Sequence, residues 1–296
     1  MTEAMVHANG VRLCVETFGD PDAPAILLIS GAGASMDWWE VEFCQRLASG
    51  GRRVIRYDHR DTGRSVGYPP GEPGYTGLDL IADAVGLIDA LAGGRAHLVG
   101  VSMGGGIAQQ LAIQHPDRVE TLTLIATSPI GPRNPDDELP PMAPRLAARF
   151  ANPPPEPDWT DRDAVVDHLV DDERAFAGPG CFDEQAVRAL AHRVVDRSIN
   201  PESSKNHWLI ADAGGDVQPR HSHVTAPTLV IHGTEDPLFP PEHAAALARE
   251  ITGAELLLLN GVGHQTPPPS TWDLVVPEIL RHTAPRPQPV GVPAQR

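Results

Sequence analysis

The chain is poor in the residues that usually mark a specialised partner. Its three cysteines, Cys14, Cys44 and Cys181, are odd in number, far apart and form no C-x-x-C pair. That argues against a disulfide framework and a thiolate metal or redox site, and predicts free thiols in a reducing compartment. Lysine occurs once, at Lys205, and the formal net charge is −16. Nucleic acid and anionic membrane surfaces need clustered Lys and Arg, so neither is an expected partner. A small neutral or cationic ligand suits that charge better. No apolar stretch approaches the roughly 18 residues of a membrane span, and no basic segment followed by an apolar one opens the sequence. The expectation is a soluble, cytoplasmic protein.

What is present is an alternation of short apolar runs and amphipathic stretches. The 296 residues suit one large α/β domain with an insertion. Asn9-Gly10, a dipeptide favoured in tight hairpin turns, separates Met5-Val6-His7 from the strand pattern at residues 11–18. Residues 25–29, 53–57, 96–101 and 119–126 read as strands, with helices over 41–47, 78–91 and the segment after Ser102. The pattern fails after Ser128, where residues 129–158 are dense in proline. Three helices are then predicted over 163–176, 184–197 and 201–211. Alternation resumes with strands at 228–232 and 255–259 and helices over 242–251 and about 270–283. This predicts a mostly parallel, doubly wound sheet built from residues 1–128 and 225–284. A helical cap is expected over 129–224, at the sheet edge where ligands bind in such folds, and a disordered tail over 285–296.

Gly100-Val101-Ser102-Met103-Gly104 is the most informative stretch. It has the G-x-S-x-G spacing of a nucleophile elbow and falls where a strand gives way to a helix. A serine so placed is expected to adopt a strained, positive-φ backbone, with glycines where strand and helix pass closely. A neutral hydroxyl needs a base, and the base an orienting acid. In chain order these are expected as Asp236, in Gly233-Thr234-Glu235-Asp236-Pro237, and His264, in Asn260-Gly261-Val262-Gly263-His264. Glu235 is the rival acid. His7, His59, His97, His115 and His232 have no comparable setting. An oxyanion formed at Ser102 requires preorganised N–H donors. Met103 and, from the Ser30-Gly31-Ala32-Gly33 loop, Ala32 are the candidates, with the Met103 side chain expected only to pack.

These motifs, in this order and across nearly the whole chain, resemble the α/β-hydrolase superfamily. The run Val54-Ile55-Arg56-Tyr57-Asp58-His59-Arg60-Asp61-Thr62-Gly63-Arg64-Ser65 is particularly similar to the bacterial aclacinomycin methylesterases, which cleave a methyl ester on an aromatic polyketide. Two positions depart from many members of the superfamily: Ser30 replaces a histidine, and Asp61 replaces a glycine, the latter as in the methylesterase group. The resemblance implies a serine carboxylic-ester hydrolase that works through an acyl-enzyme on a small-molecule ester, with no cofactor and no metal. Ser102 argues against the haloalkane dehalogenases and epoxide hydrolases of this fold, whose nucleophile is aspartate. The alternatives are a lactonase or enol-lactone hydrolase, a lyase using the same triad, or a non-catalytic ligand receptor. Trp38 and Trp39 after the donor loop, and His207 and Trp208 in the cap, are the candidate substrate contacts.

Overall fold

The computed structural model describes residues 3–131, 138–210 and 221–285. All but the first residue of the expected tail, and the end of the third helix predicted in the insertion, lie outside these. At the amino end, Asn9 and Gly10 both take positive φ, 46° and 74°, which matches the twist of a two-residue hairpin. They join β1 (Ala4–Ala8) to β2 (Val11–Phe18). The remaining strands are β3 (Ala25–Ile29), β4 (Arg53–Tyr57), β5 (Ala96–Val101), β6 (Val119–Ile125), β7 (Thr228–Gly233) and β8 (Glu255–Leu259). They form one sheet in the order β1-β2-β4-β3-β5-β6-β7-β8. The β1–β2 and β2–β4 pairs are antiparallel and every other pair is parallel.

Strand periodicity divides the core into two layers. In β3 every residue is buried, but successive side chains point to opposite faces. Leu27 and Ile29 join Ile55 and Leu98 beneath α2 (Gly77–Leu91), α3 (Met103–Gln114) and α7 (Glu242–Glu250). Ile26 and Leu28 join Val54 and Val99 against α1 (Val41–Ser49) and α8 (Trp272–His282). The chain leaves β3 towards β4 on one side, whereas β5 lies on the other. The switch point of the sheet is therefore between β3 and β5, where such folds open a crevice at the carboxyl ends of their strands.

The insertion between β6 and β7 holds α4 (Pro144–Ala151), α5 (Arg162–Phe176) and α6 (Glu184–Arg197). α5 and α6 have a small core of their own around Val166, Val170 and Ala191. α4 falls in the proline-dense stretch where no helix is predicted; Pro144 sits at the first helical turn, where its missing N–H costs nothing. The helix predicted over 201–211 is present over Pro201–Trp208 as a 3-10 helix. There the side chains bind elsewhere: Ser203 Oγ donates to Tyr68 O, Ser204 Oγ to Pro201 O, and Asn206 Nδ2 to Asp61 Oδ2.

Arg197, at the end of α6, fastens the insertion to the sheet. Its guanidinium binds Asp37 Oδ2 at 2.8 Å and Asp58 Oδ1 at 3.1 Å, and also pairs with Glu3. Burial pushes the Asp58 carboxyl above its ordinary range, although Arg197 and two backbone N–H donors, of Met36 and Arg64, act to lower it. Arg197→Ala would leave Asp37 and Asp58 buried without a cation. It is expected to cost about 3–5 kcal/mol of unfolding free energy, measured as a lower urea midpoint, and a loss below about 1 kcal/mol would contradict this account.

Candidate active site

Ser102 lies between β5 and α3 with φ 53° and ψ −118°, a conformation that costs a non-glycine residue on the order of 1–3 kcal/mol. The surroundings hold it there. Ser102 N donates to Ile125 O at 3.0 Å, while its own carbonyl accepts from Gly106 N and Thr127 Oγ1. A Cβ on Gly100 would come 2.3 Å from Gly104 O, and one on Gly104 would come 2.2 Å from Ile29 O. The elbow exists because these two positions carry no side chain.

The loops after β7 and β8 open on the same edge, since those strands run parallel to β5. His264 Nε2 lies 2.9 Å from Ser102 Oγ, and His264 Nδ1 lies 2.9 Å from Asp236 Oδ2. A carboxylate only accepts, so Nδ1 carries the proton and the Nε2 lone pair faces the serine hydroxyl. Asp236 Oδ1 accepts from the backbone N–H of Leu238 and Phe239 at 2.9 and 2.8 Å. Burial tends to raise the Asp236 carboxyl, but His264, His232 and the Phe239 N–H outweigh it and hold the group below the usual carboxylate range. Glu235 is exposed and takes no part. His232 Nε2 lies 3.4 Å from Asp236 Oδ2 and bonds Phe239 O at 2.8 Å, bracing the acid loop. Sequence reading gave His232 no role; its place at the end of β7, four residues before Asp236, was the available signal.

Ala32 and Ser102 line one cavity of about 110 Å³ together with Trp38, Glu173, Phe176 and Leu238. Among the described residues, neither the Ala32 nor the Met103 backbone N–H has a hydrogen-bond partner. The donor loop is braced from behind by the insertion. His207 Nδ1 accepts from Gly33 N at 2.8 Å, and its Nε2 bonds Arg60 O at 2.8 Å. Burial lowers the His207 pKa and so favours the neutral ring that this acceptor role needs.

The four candidate substrate contacts therefore separate. Trp38 and Trp208 line the cavity. Trp39 instead is 0% exposed and stacks on Phe43 in the core, because the turn that frees Trp38 aims its neighbour under α1. His207 is likewise buried behind the donor loop rather than in the cavity. The run from Asp58 to Ser65 is also absorbed by structure: Arg60 binds Asp83 through two 2.7 Å contacts, and Asp61 accepts from Tyr75, Asn206 and the Tyr68 N–H. Asp61 has φ 66°, which explains the preference for glycine there; its three hydrogen bonds explain the acid. Gly104→Ala is expected to force α3 away from the β3 carbonyls at a cost of about 3 kcal/mol, checked by thermal unfolding; an unchanged midpoint would show the elbow to be more compliant than described.

Comparison with known proteins agrees with this fold. Residues 24–266 match the family described as alpha/beta hydrolase fold. The rhodomycin D methylesterase DauP of Streptomyces sp. (strain C5) is 31% identical over 279 residues, covering 90% of this chain and 93% of that protein. Among solved structures, a hydrolase from Pseudomonas aeruginosa PA01 matches with a TM-score of 0.70 at 25% identity, covering 95% of this chain and 97% of that one. The enol-lactonase from Burkholderia xenovorans LB400 matches with a TM-score of 0.68 at 25% identity, covering 94% and 99%. With a mostly parallel eight-stranded sheet, a serine at its switch point and a family match across most of its length, this chain belongs to the α/β-hydrolase family.

Proposed function

We propose that the chain is a serine hydrolase of carboxylic esters, with Ser102 as nucleophile, His264 as general base and acid, and Asp236 as the group that orients the imidazole. The observation that carries this reading is the unbroken chain of two 2.9 Å hydrogen bonds from Asp236 through His264 to Ser102. The hydroxyl at its end opens into a cavity. Ser102 Oγ attacks the ester carbonyl as His264 Nε2 takes its proton, and the oxyanion receives the Ala32 and Met103 N–H groups. Collapse expels the alcohol, protonated by His264, and leaves Ser102 acylated. Water, deprotonated by the same imidazole, then attacks the acyl carbon and releases the acid. Asp236, held ionised by its hydrogen bonds, stabilises the imidazolium in both halves of the cycle.

A small-molecule methyl ester, such as one on an aromatic polyketide or another secondary metabolite, is the proposed substrate. The similarity to rhodomycin D methylesterases supports it, as do the aromatic walls Trp38, Phe176 and Trp208. A volume of about 110 Å³ receives the ester and the atoms next to it, while drug-sized ligands occupy roughly 300–1,000 Å³. The rest of a large substrate would extend past Trp208, which is 60% exposed. Lactone hydrolysis is the second reading, favoured by the likeness to the enol-lactonase. A screen of lactones against methyl esters discriminates the two. A receptor without turnover would have no use for the strained serine and its paired histidine.

Ser102→Ala is expected to lower kcat for p-nitrophenyl acetate by on the order of 10⁶-fold and to abolish labelling by a fluorophosphonate probe. Retained turnover would overturn the mechanism. Asp236→Asn should leave the fold intact and reduce kcat at neutral pH by about 10⁴-fold, because the wrong imidazole tautomer then faces Ser102; a loss below tenfold in steady-state kinetics would remove Asp236 from its role.

A further inference from the structure

Among the described residues, Glu173 is the one acidic side chain in the wall of the Ser102 cavity, and the proposed cycle does not use it. It lies one turn before the end of α5. That end is fixed to the site: His264 N donates to Phe176 O at 2.8 Å, and a Cβ on Gly263 would come 2.3 Å from both Phe176 O and Gly178 N. Glu173 is thus held at a set position relative to Ser102. Among the described residues no cation or hydrogen-bond donor reaches its carboxyl, whereas Asp171 and Asp172 beside it both pair with Arg149. Glu173 keeps some accessible surface, although protein surrounds it, because that surface opens into the cleft.

The cleft continues past it. A second chamber of about 90 Å³ shares Trp38, Glu173, Gln265 and Thr266 with the first, and is bounded further on by Glu40, Asp183 and Trp272. Among the described residues, no lysine or arginine lines either chamber. An unpaired carboxyl among indole and phenyl rings has the composition of a site for an organic cation, which gains both from the charge and from the ring faces. An anionic group would gain from neither, and a net charge of −16 biases the molecule the same way.

We propose that Glu173 is a specificity-determining residue, whose carboxylate receives a positively charged, amine-type group of the ester substrate at the junction of the two chambers. The assignment rests on the ester-hydrolase reading of the site. Burial, with the negative charge of Asp172 beside it, raises the Glu173 carboxyl to about 8 when the cleft is empty. A cation at the junction would draw off its proton, so preference for cationic substrates grows as pH rises through that value. The other titratable groups facing the cleft are His264, Cys181, Asp183 and Glu40. Asp183 caps α6 by accepting from Ala186 N, and Glu40 pairs with Arg193. His264 serves every ester alike and cancels when two substrates are compared.

The test is a matched pair of p-nitrophenyl esters, 4-(trimethylammonio)butanoate and its neutral isostere 5,5-dimethylhexanoate. The charge on the first does not titrate. The wild type should show a cationic-to-neutral ratio of kcat/KM of at least about tenfold at pH 9, shrinking as pH falls through about 8. In Glu173→Gln the ratio should fall towards one and lose its pH dependence. A wild-type ratio at or below one, or an equal ratio in the variant, overturns the proposal. The pH dependence of the wild-type ratio carries the test without any variant. Calorimetric titration with butyltrimethylammonium ion separates the two readings. Binding by the wild type that weakens at least about tenfold in Glu173→Gln supports the cation site even if neither ester is hydrolysed, an outcome that would overturn the esterase alone. Equal binding by both proteins overturns the cation site.

Discussion

The first turn of α3 presses against the last carbonyl groups of β3, and the rest of the site depends on that approach. With no side chain at Gly104, the helix comes close enough to Ile29 O that a single Cβ would collide with it at 2.2 Å. This contact sets how sharply the chain turns at Ser102, and so how far the hydroxyl stands from the sheet. It also brings the Met103 N–H alongside the Ser30 to Gly33 loop, which leaves the same end of β3. Candidate nucleophile and candidate oxyanion donors are two consequences of one close approach. The strained serine is tolerated because its N–H and carbonyl are both bonded to neighbouring chain.

Parallel strands explain why residues so distant in sequence converge. β5, β7 and β8 end on the same edge, so the loops carrying Ser102, Asp236 and His264 need only short excursions to meet. The two-layer core beneath them is apolar on both faces and allows little adjustment. The site's polar groups gather at the strand ends. There the buried carboxylates Asp58 and Asp61 bind Arg197 and Asn206 of the insertion, while Arg60 beside them pairs with Asp83 of α2.

The insertion has two roles that follow from separate residues. Arg197, Asn206 and His207 attach it to the sheet edge, and His207 also steadies Gly33 in the donor loop. Glu173, Phe176 and Trp208 face the cleft instead. Phe176 is in ring contact with His264, and Phe150 with both Phe176 and Trp208, so an aromatic wall runs from the imidazole to the surface. Attachment fixes the wall, and its aromatic rings together with Glu173 give the cleft its character.

The sequence by itself determined the strands, the elbow and the order of the loops that meet at it. Apolar runs of five to eight residues, Asn9-Gly10, and glycines at fixed offsets from Ser102 are local signals whose meaning needs no distant contact. Asp236 was expected ahead of Glu235 from its place in the loop, and the turn adds that Asp236 is buried and Glu235 exposed. The run from Asp58 to Ser65 was legible as a resemblance, but its work as the dock for Arg197 and Asn206 was not. The two tryptophans differ by one position, yet one lines the cleft and its neighbour fills the core. Tertiary structure alone decided these points, along with the place of His207 and of Glu173. Each depends on which surface a side chain meets across more than a hundred residues of chain or around a single turn, and a local pattern of polarity carries no record of that.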